Sequence, residues 1–87
     1  MTSEAKLWAL YKSWDVLVKH KEKMGQTILE LIAHPEATPQ DIERVVPQYR
    51  DIVGKLREHK PVILKALNKG GSLRVHNAYD NVKNTHL

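Results

Sequence analysis

Two prolines four residues apart, Pro35 and Pro39, constrain the fold of this chain more than any other feature. Pro35 disfavours helical backbone at the residue before it, so a helix that arrives from the N-terminal side should end there. Thr38 suits the N-cap of a following helix, Pro39 suits its first position, and Asp41 can reach back to the cap as Glu does in a capping box. The sequence therefore predicts a turn at residues 34–38 between two helices.

Apolar side chains recur at helical spacing on both sides of this turn. Before it, a helix is predicted over residues 3–33, with Lys21 at the one position where the apolar stripe is interrupted. After it, a helix is predicted over residues 39–69. The first stripe consists of Leu7, Leu10, Trp14, Leu17, Met24, Ile28 and Leu31, and the second of Ile42, Val45, Val46, Tyr49, Ile52, Val53, Leu56, Ile63 and Leu67.

The second helix contains Pro47 and Pro61, each of which removes a backbone hydrogen bond. We therefore expect this helix to be kinked or split at one or both of them. Gly70 and Gly71 should end it. The remaining residues, 72–87, are rich in asparagine and are predicted to form a flexible tail behind a helical domain that spans residues 1–71.

A short link between two helices with apolar stripes predicts an all-α fold, an antiparallel helical hairpin. Two helices side by side enclose no core, and small single cores contribute little stability. We therefore predict a homodimer in which two hairpins form a four-helix bundle, in the manner of a short coiled coil. The alternative is intramolecular, with a third helix at 61–69 or the tail folding onto the hairpin.

Lys21 leaves two interpretations open. Its stem can pack on the apolar stripe while its ammonium group reaches water. Alternatively, a single polar group on a helix–helix seam can fix the register and the oligomeric state.

The composition gives no indication of an enzyme. The 87 residues include no cysteine, which excludes a disulfide framework and thiolate chemistry. No apolar run reaches the roughly 18 residues that suggest a membrane span, and residues 1–4 do not resemble a signal peptide. The five histidines form no recognisable metal motif. We therefore expect a cytoplasmic, non-enzymatic protein with no cofactor, no metal, no membrane contact and no small-molecule substrate.

The function predicted on these grounds is that of a protein–protein interaction module, such as an adaptor, an inhibitor or an assembly factor. It would act through its helix faces, binding itself and a further, unidentified protein. Exposed aromatic side chains beside an apolar stripe are common interface anchors. The predicted contact residues are Leu7, Trp8, Tyr11, Trp14, Leu29 and Ile32.

A basic cluster supports the alternative function, a small basic protein that binds nucleic acid. The formal net charge is +4, and the predicted anion contacts are Lys55, Lys65, Lys69 and Arg74. Such a stripe could contact phosphates. Lysines on the outer face of a helix also occur simply as solubilising residues, and the sequence leaves both explanations open.

Overall fold

A computed structural model describes residues 3–87 and shows three helices in that part of the chain. Helix α1 spans Ser3–Ala33, α2 spans Pro39–Leu67 and α3 spans Leu73–Lys83. No strand is formed by these residues, so the all-helical prediction is confirmed. The molecule is elongated, with principal extents of 52 × 22 × 19 Å.

The turn between α1 and α2 has the predicted form. Thr38 adopts an extended backbone, and its N–H donates to Asp41 Oδ2 at 2.9 Å. This hydrogen bond holds the pKa of the Asp41 carboxyl below its ordinary value. The stabilisation of this helix start is therefore present above the pKa that Asp41 has in the unfolded chain. It is lost as the pH falls through the lower pKa of the folded state.

Helix α2 continues through both prolines, so the predicted split is not found. Pro47 and Pro61 are exposed, as are Glu43 and Arg57 one turn earlier. The carbonyl groups that lose their N–H partners therefore lie on the solvent side, where water can bond to them. A bend at either proline stays a prediction.

Helix α2 ends at Leu67, two residues before the predicted end. The backbone N–H of Asn68 still donates to the carbonyl of Leu64 at 3.0 Å, and that of Gly70 donates to the carbonyl of Leu67 at 3.0 Å. The last turn thus tightens toward i to i+3 hydrogen bonding before the chain leaves the helix.

The predicted flexible tail is corrected by α3. Ser72 caps this helix, because its Oγ accepts from the Val75 N–H at 3.2 Å. Val75, Ala78 and Val82 are buried, at 1%, 0% and 0% exposure. They lie three and four residues apart, so they share the face that packs on α1 and α2. The intramolecular alternative, in which the tail folds onto the first two helices, is therefore found in this chain, and the homodimer stays a prediction.

All fully buried side chains of the described part lie in one half of the molecule, where the three helices meet. No residue from 15 to 51 is buried. We call residues 4–21, 52–67 and α3 the three-helix half, and residues 22–33 and 39–51 the two-helix half. The core residues are Trp14, Ile52, Leu56, Ile63, Leu67, Val75, Ala78 and Val82.

Helix α2 runs back alongside α1. A Cβ built at Gly25 would lie 3.5 Å from the ring of Tyr49, and one built at Gly70 would lie 3.2 Å from Leu7 Cδ1. Residues late in α1 thus meet residues early in α2, and residues early in α1 lie near the end of α2.

The packing at Gly70 gives a test of the connection between α2 and α3. A Cβ at Gly70 would overlap Val75 and reach 3.0 Å from its Cβ, whereas a Cβ at Gly71 would meet no atom within 4 Å. Gly70→Ala should therefore lower the free energy of unfolding by about 1–3 kcal/mol, the usual cost of overpacking. Gly71→Ala is the matched control and should be neutral or slightly stabilising. Urea unfolding monitored by circular dichroism measures both, and equal effects would contradict the close approach.

Candidate interaction surface

The two-helix half exposes apolar side chains that no other part of the described chain covers. Leu29 is 62% exposed and Ile32 is 63% exposed, although both lie on a helix that packs against α2. The apolar side chains with which α1 and α2 face each other in this half are only half-buried. These are Met24, Ile28, Leu31, Ile42, Val45, Val46 and Tyr49.

A groove of about 510 Å³ opens between α1 and α2 in this half. Its lining residues are Lys21, Glu22, Gly25, Gln26, Ile28, Leu29 and Tyr49. Tyr49 also borders a second depression of about 450 Å³, whose other lining residues are Arg50, Val53, Gly54 and Arg57. The two depressions therefore adjoin at one aromatic ring, with an apolar floor and charged residues at the rims.

The groove begins where the C-terminal segment ends. Lys21 Nζ donates to the carbonyl of His86 at 3.2 Å, and Lys60 Nζ donates to the carbonyl of Thr85 at 2.8 Å. One lysine comes from α1 and the other from α2, so the segment after α3 is held to both helices. Two ammonium groups near the C-terminal end of α3 also complement its dipole.

Lys21 is half-buried, and its ammonium group donates to the carbonyl of His86 at an exposed position. This contact holds the segment after α3 against α1 beside the groove. A role of Lys21 in fixing the register of two copies stays a prediction.

The aromatic cluster at the start of α1 contributes mainly to the fold. Trp14, one of the predicted contact residues, is 2% exposed and belongs to the core within this chain. Trp8 and Tyr11 are half-buried, with ring centroids 5.2 Å apart. The Arg74 guanidinium lies 3.7 Å from the Trp8 ring centroid, and Asn81 Nδ2 donates to the Tyr11 hydroxyl at 3.1 Å.

Helix α3 thus covers the start of α1, where four of the six predicted contact residues lie. Leu7 is also half-buried and packs against the core. Of the six predicted contact residues, Leu29 and Ile32 are the ones that the structure leaves mostly exposed.

The predicted anion-contact residues do not act as one group. Lys55 Nζ lies 3.1 Å from Asp51 Oδ2, and Arg74 is engaged by Trp8. Lys65 and Lys69 are exposed and form no ion pair within residues 3–87. Nucleic-acid binding therefore stays a prediction that rests on these two lysines.

Among the residues that the structure describes, no three His, Cys, Asp or Glu side chains come close enough to hold a metal ion. His76 and Asp80 do share a face of α3, with Nε2 and Oδ2 3.7 Å apart, but both are exposed. No helix in the described range is long and apolar enough to cross a membrane. The surface ion pair of Asp15 and Lys19, at 3.0 Å, raises the pKa of Lys19 through the hydrogen bond to the carboxylate.

Comparison of the chain with protein-family models, with curated proteins and with solved structures finds no match. The functional argument therefore depends on the surface itself. The sequence does not indicate Val46, Tyr49 or Arg50 as surface residues of interest. Val46 and Tyr49 belong to the apolar stripe of the second helix, which is expected to be buried, and Arg50 lies next to that stripe. The signal that could have found them is the length of α1, which extends beyond any third helix that residues 72–87 could form.

Proposed function

We propose that this chain is a non-enzymatic protein-binding module whose binding surface is the groove of the two-helix half. The observation that carries the proposal is the absence of any buried side chain from residue 15 to residue 51. Where α3 packs on the same two helices, the three helices form a buried core. The two-helix half has the same two apolar stripes but no third helix.

The energetic reason is the apolar area that remains in contact with water. Complete burial of a leucine or isoleucine side chain contributes about 1.5–3 kcal/mol relative to full exposure. Leu29 and Ile32 keep more than half of their surface in water, so a partner that covered both would gain on the order of 2 kcal/mol from them alone. The half-buried residues of the groove floor would add to this.

Within residues 3–87, α3 does not cover this groove, because the segment after α3 is held to Lys21 and Lys60 through the carbonyls of His86 and Thr85. A helix from another molecule, laid between α1 and α2, has the same role that α3 has in the three-helix half. This is the helix-in-groove mode of recognition. It suits an adaptor, an inhibitor or an assembly factor.

A homodimer belongs to this proposal in a changed form. It was predicted because two helices enclose no core, yet α3 now supplies a core for half of the molecule. A four-helix bundle built from two copies would therefore be confined to the two-helix half. Self-association would then be driven by burial of the uncovered groove in the two-helix half.

The proposal is tested by comparing two surface substitutions of equal exposure. Leu29→Glu places a carboxylate on the groove wall, while Val16→Glu does the same at a residue that is 65% exposed and lies outside the two-helix half. Both should leave the free energy of unfolding within about 0.5 kcal/mol of wild type, because exposed positions tolerate such changes. Immobilised wild-type protein and each variant are incubated with lysate, and bound proteins are quantified by mass spectrometry.

We expect Leu29→Glu to lose at least about 90% of the bound partner, since it costs more than the roughly 1.4 kcal/mol that corresponds to tenfold in affinity. Val16→Glu should retain partner at the wild-type level. If both variants retain the same proteins in equal amount, the groove of the two-helix half is not the binding surface.

A further inference from the structure

We propose that the occupant of the groove is a second copy of this chain, bound in an antiparallel, two-fold symmetric arrangement in which Glu43 of each copy pairs with Arg50 of the other. This inference rests on the proposed function and names the partner. It follows from the charges on one edge of α2, from the position of α3 and from which residues of α1 and α2 lie side by side.

The first observation is a self-complementary pair of charges. Glu43 and Arg50 are seven residues apart on α2, so they lie on one line along the helix, about 10 Å apart. Both are exposed, and neither forms an ion pair within residues 3–87. When two such helices pack antiparallel about a two-fold axis midway between the two residues, each acid meets the arginine of the other copy.

The second observation is that α3 permits only one direction. Helix α3 and the segment after it lie over α1 and α2 in the three-helix half, as far as Lys21. In a parallel face-to-face pair, the α3 helices of the two copies would occupy the same space. In the antiparallel pair they lie at opposite ends, and the two-helix halves face each other between them.

The third observation is that the same axis brings apolar side chains together. The midpoint between Glu43 and Arg50 falls beside Val46. Gly25 of α1 lies against Tyr49 of α2. Because the two helices run in opposite directions, the residue one turn before Tyr49 lies beside the residues one turn after Gly25. Val46 is therefore level with Ile28 and Leu29. The exposed Leu29 of each copy would therefore approach the axis, with the charged pairs at the edge.

The size of this face sets the expected affinity. The two-helix half is about 18–20 Å long and two helices wide, which corresponds to on the order of 1,000 Å² of total buried surface in a dimer. That is at the lower end of specific interfaces, where association is typically transient. We expect a monomer–dimer equilibrium with a dissociation constant in the micromolar range.

The experiment is a charge exchange measured by sedimentation equilibrium at 5–500 µM protein, with circular dichroism to verify the fold of each variant. Glu43→Arg and Arg50→Glu are prepared separately, together in one chain, and as an equimolar mixture of the two single variants. Each single variant replaces two attractive pairs with two repulsive ones, so its dimer should be at least about tenfold weaker than wild type.

The double variant and the mixture restore opposite charges at both contacts. Both should dimerise within about threefold of wild type, the mixture as a heterodimer. Glu58→Arg is the matched control, because Glu58 is an exposed acid of α2 in the three-helix half; it should dimerise like wild type. Raising the salt concentration from 50 to 500 mM should reduce the differences between the variants.

Two outcomes overturn the inference. One is a wild-type chain that is monomeric at every concentration. The other is a dimer that Leu29→Glu disrupts while the charge exchange leaves it unchanged, which means that two copies meet in another arrangement. Neither outcome decides the proposed function, since the lysate comparison of Leu29→Glu with Val16→Glu is read independently.

Discussion

Replacing Leu56 with alanine is expected to lower the free energy of unfolding by about 3 kcal/mol, within the 2–5 kcal/mol typical of buried leucines. Leu56 is 0% exposed and lies in the cluster that unites Trp14 of α1 with Val75 of α3. The substitution removes packing from all three helices at once and leaves a cavity at their junction. Urea unfolding, with the slope of the transition compared between variants, measures the loss.

Leu29→Ala is the matched control for Leu56→Ala. It removes the same atoms from a residue that is 62% exposed, so the expected change is about 0.5 kcal/mol or less. Equal losses for the two variants would contradict the division of the molecule into a sealed half and an open half. A loss of stability for Leu29→Ala that grows with protein concentration would indicate that Leu29 becomes buried in a dimer.

A larger effect is expected from Ala78→Asp. Ala78 is 0% exposed on the inner face of α3, so the new carboxylate would be placed between helices without a partner. The cost is expected to be at least about 3 kcal/mol, and α3 should detach from the other two helices. Asn77→Asp is the matched control, because it adds the same charge one residue earlier at an exposed position.

Hydrogen exchange separates detachment of α3 from global unfolding. In the wild type and in Asn77→Asp, the backbone N–H groups of α3 should be protected, whereas in Ala78→Asp they should exchange at the rate of an unfolded segment. If α3 is unprotected in all three proteins, the C-terminal residues form the flexible tail that the sequence predicted, and the core described above is incomplete.

These variants bear on the proposed function as well as on stability. The groove of the two-helix half is not covered by α3, which ends at Lys83, and the segment after α3 is held by Lys21 and Lys60. The Trp8 side chain, which the sequence suggested as a partner anchor, is stacked on Arg74 of α3. A substitution there is therefore expected to disturb α3 more directly than it disturbs binding.

The sequence by itself determined the elements whose signals are local. Helix α1 ends at Ala33, two residues before Pro35, as the proline signal predicts. The start of α2 at Pro39, with Thr38 as its cap and Asp41 reaching back, also follows from the order of residue types, because capping and proline geometry act within one turn. The all-helical class followed from the periodicity of apolar residues in the same way.

The tertiary structure alone decided what happens to residues 72–87 and which part of each stripe is buried. A segment as short as α3 is marginal as an isolated helix, so it forms here because Val75, Ala78 and Val82 find apolar surface on α1 and α2. The same contact selects Trp14 for the core and leaves Leu29 in water, although both lie on α1 at stripe-compatible positions. Burial depends on which helix arrives from a distant part of the chain and where it stops, and neither is encoded in the local spacing of residues.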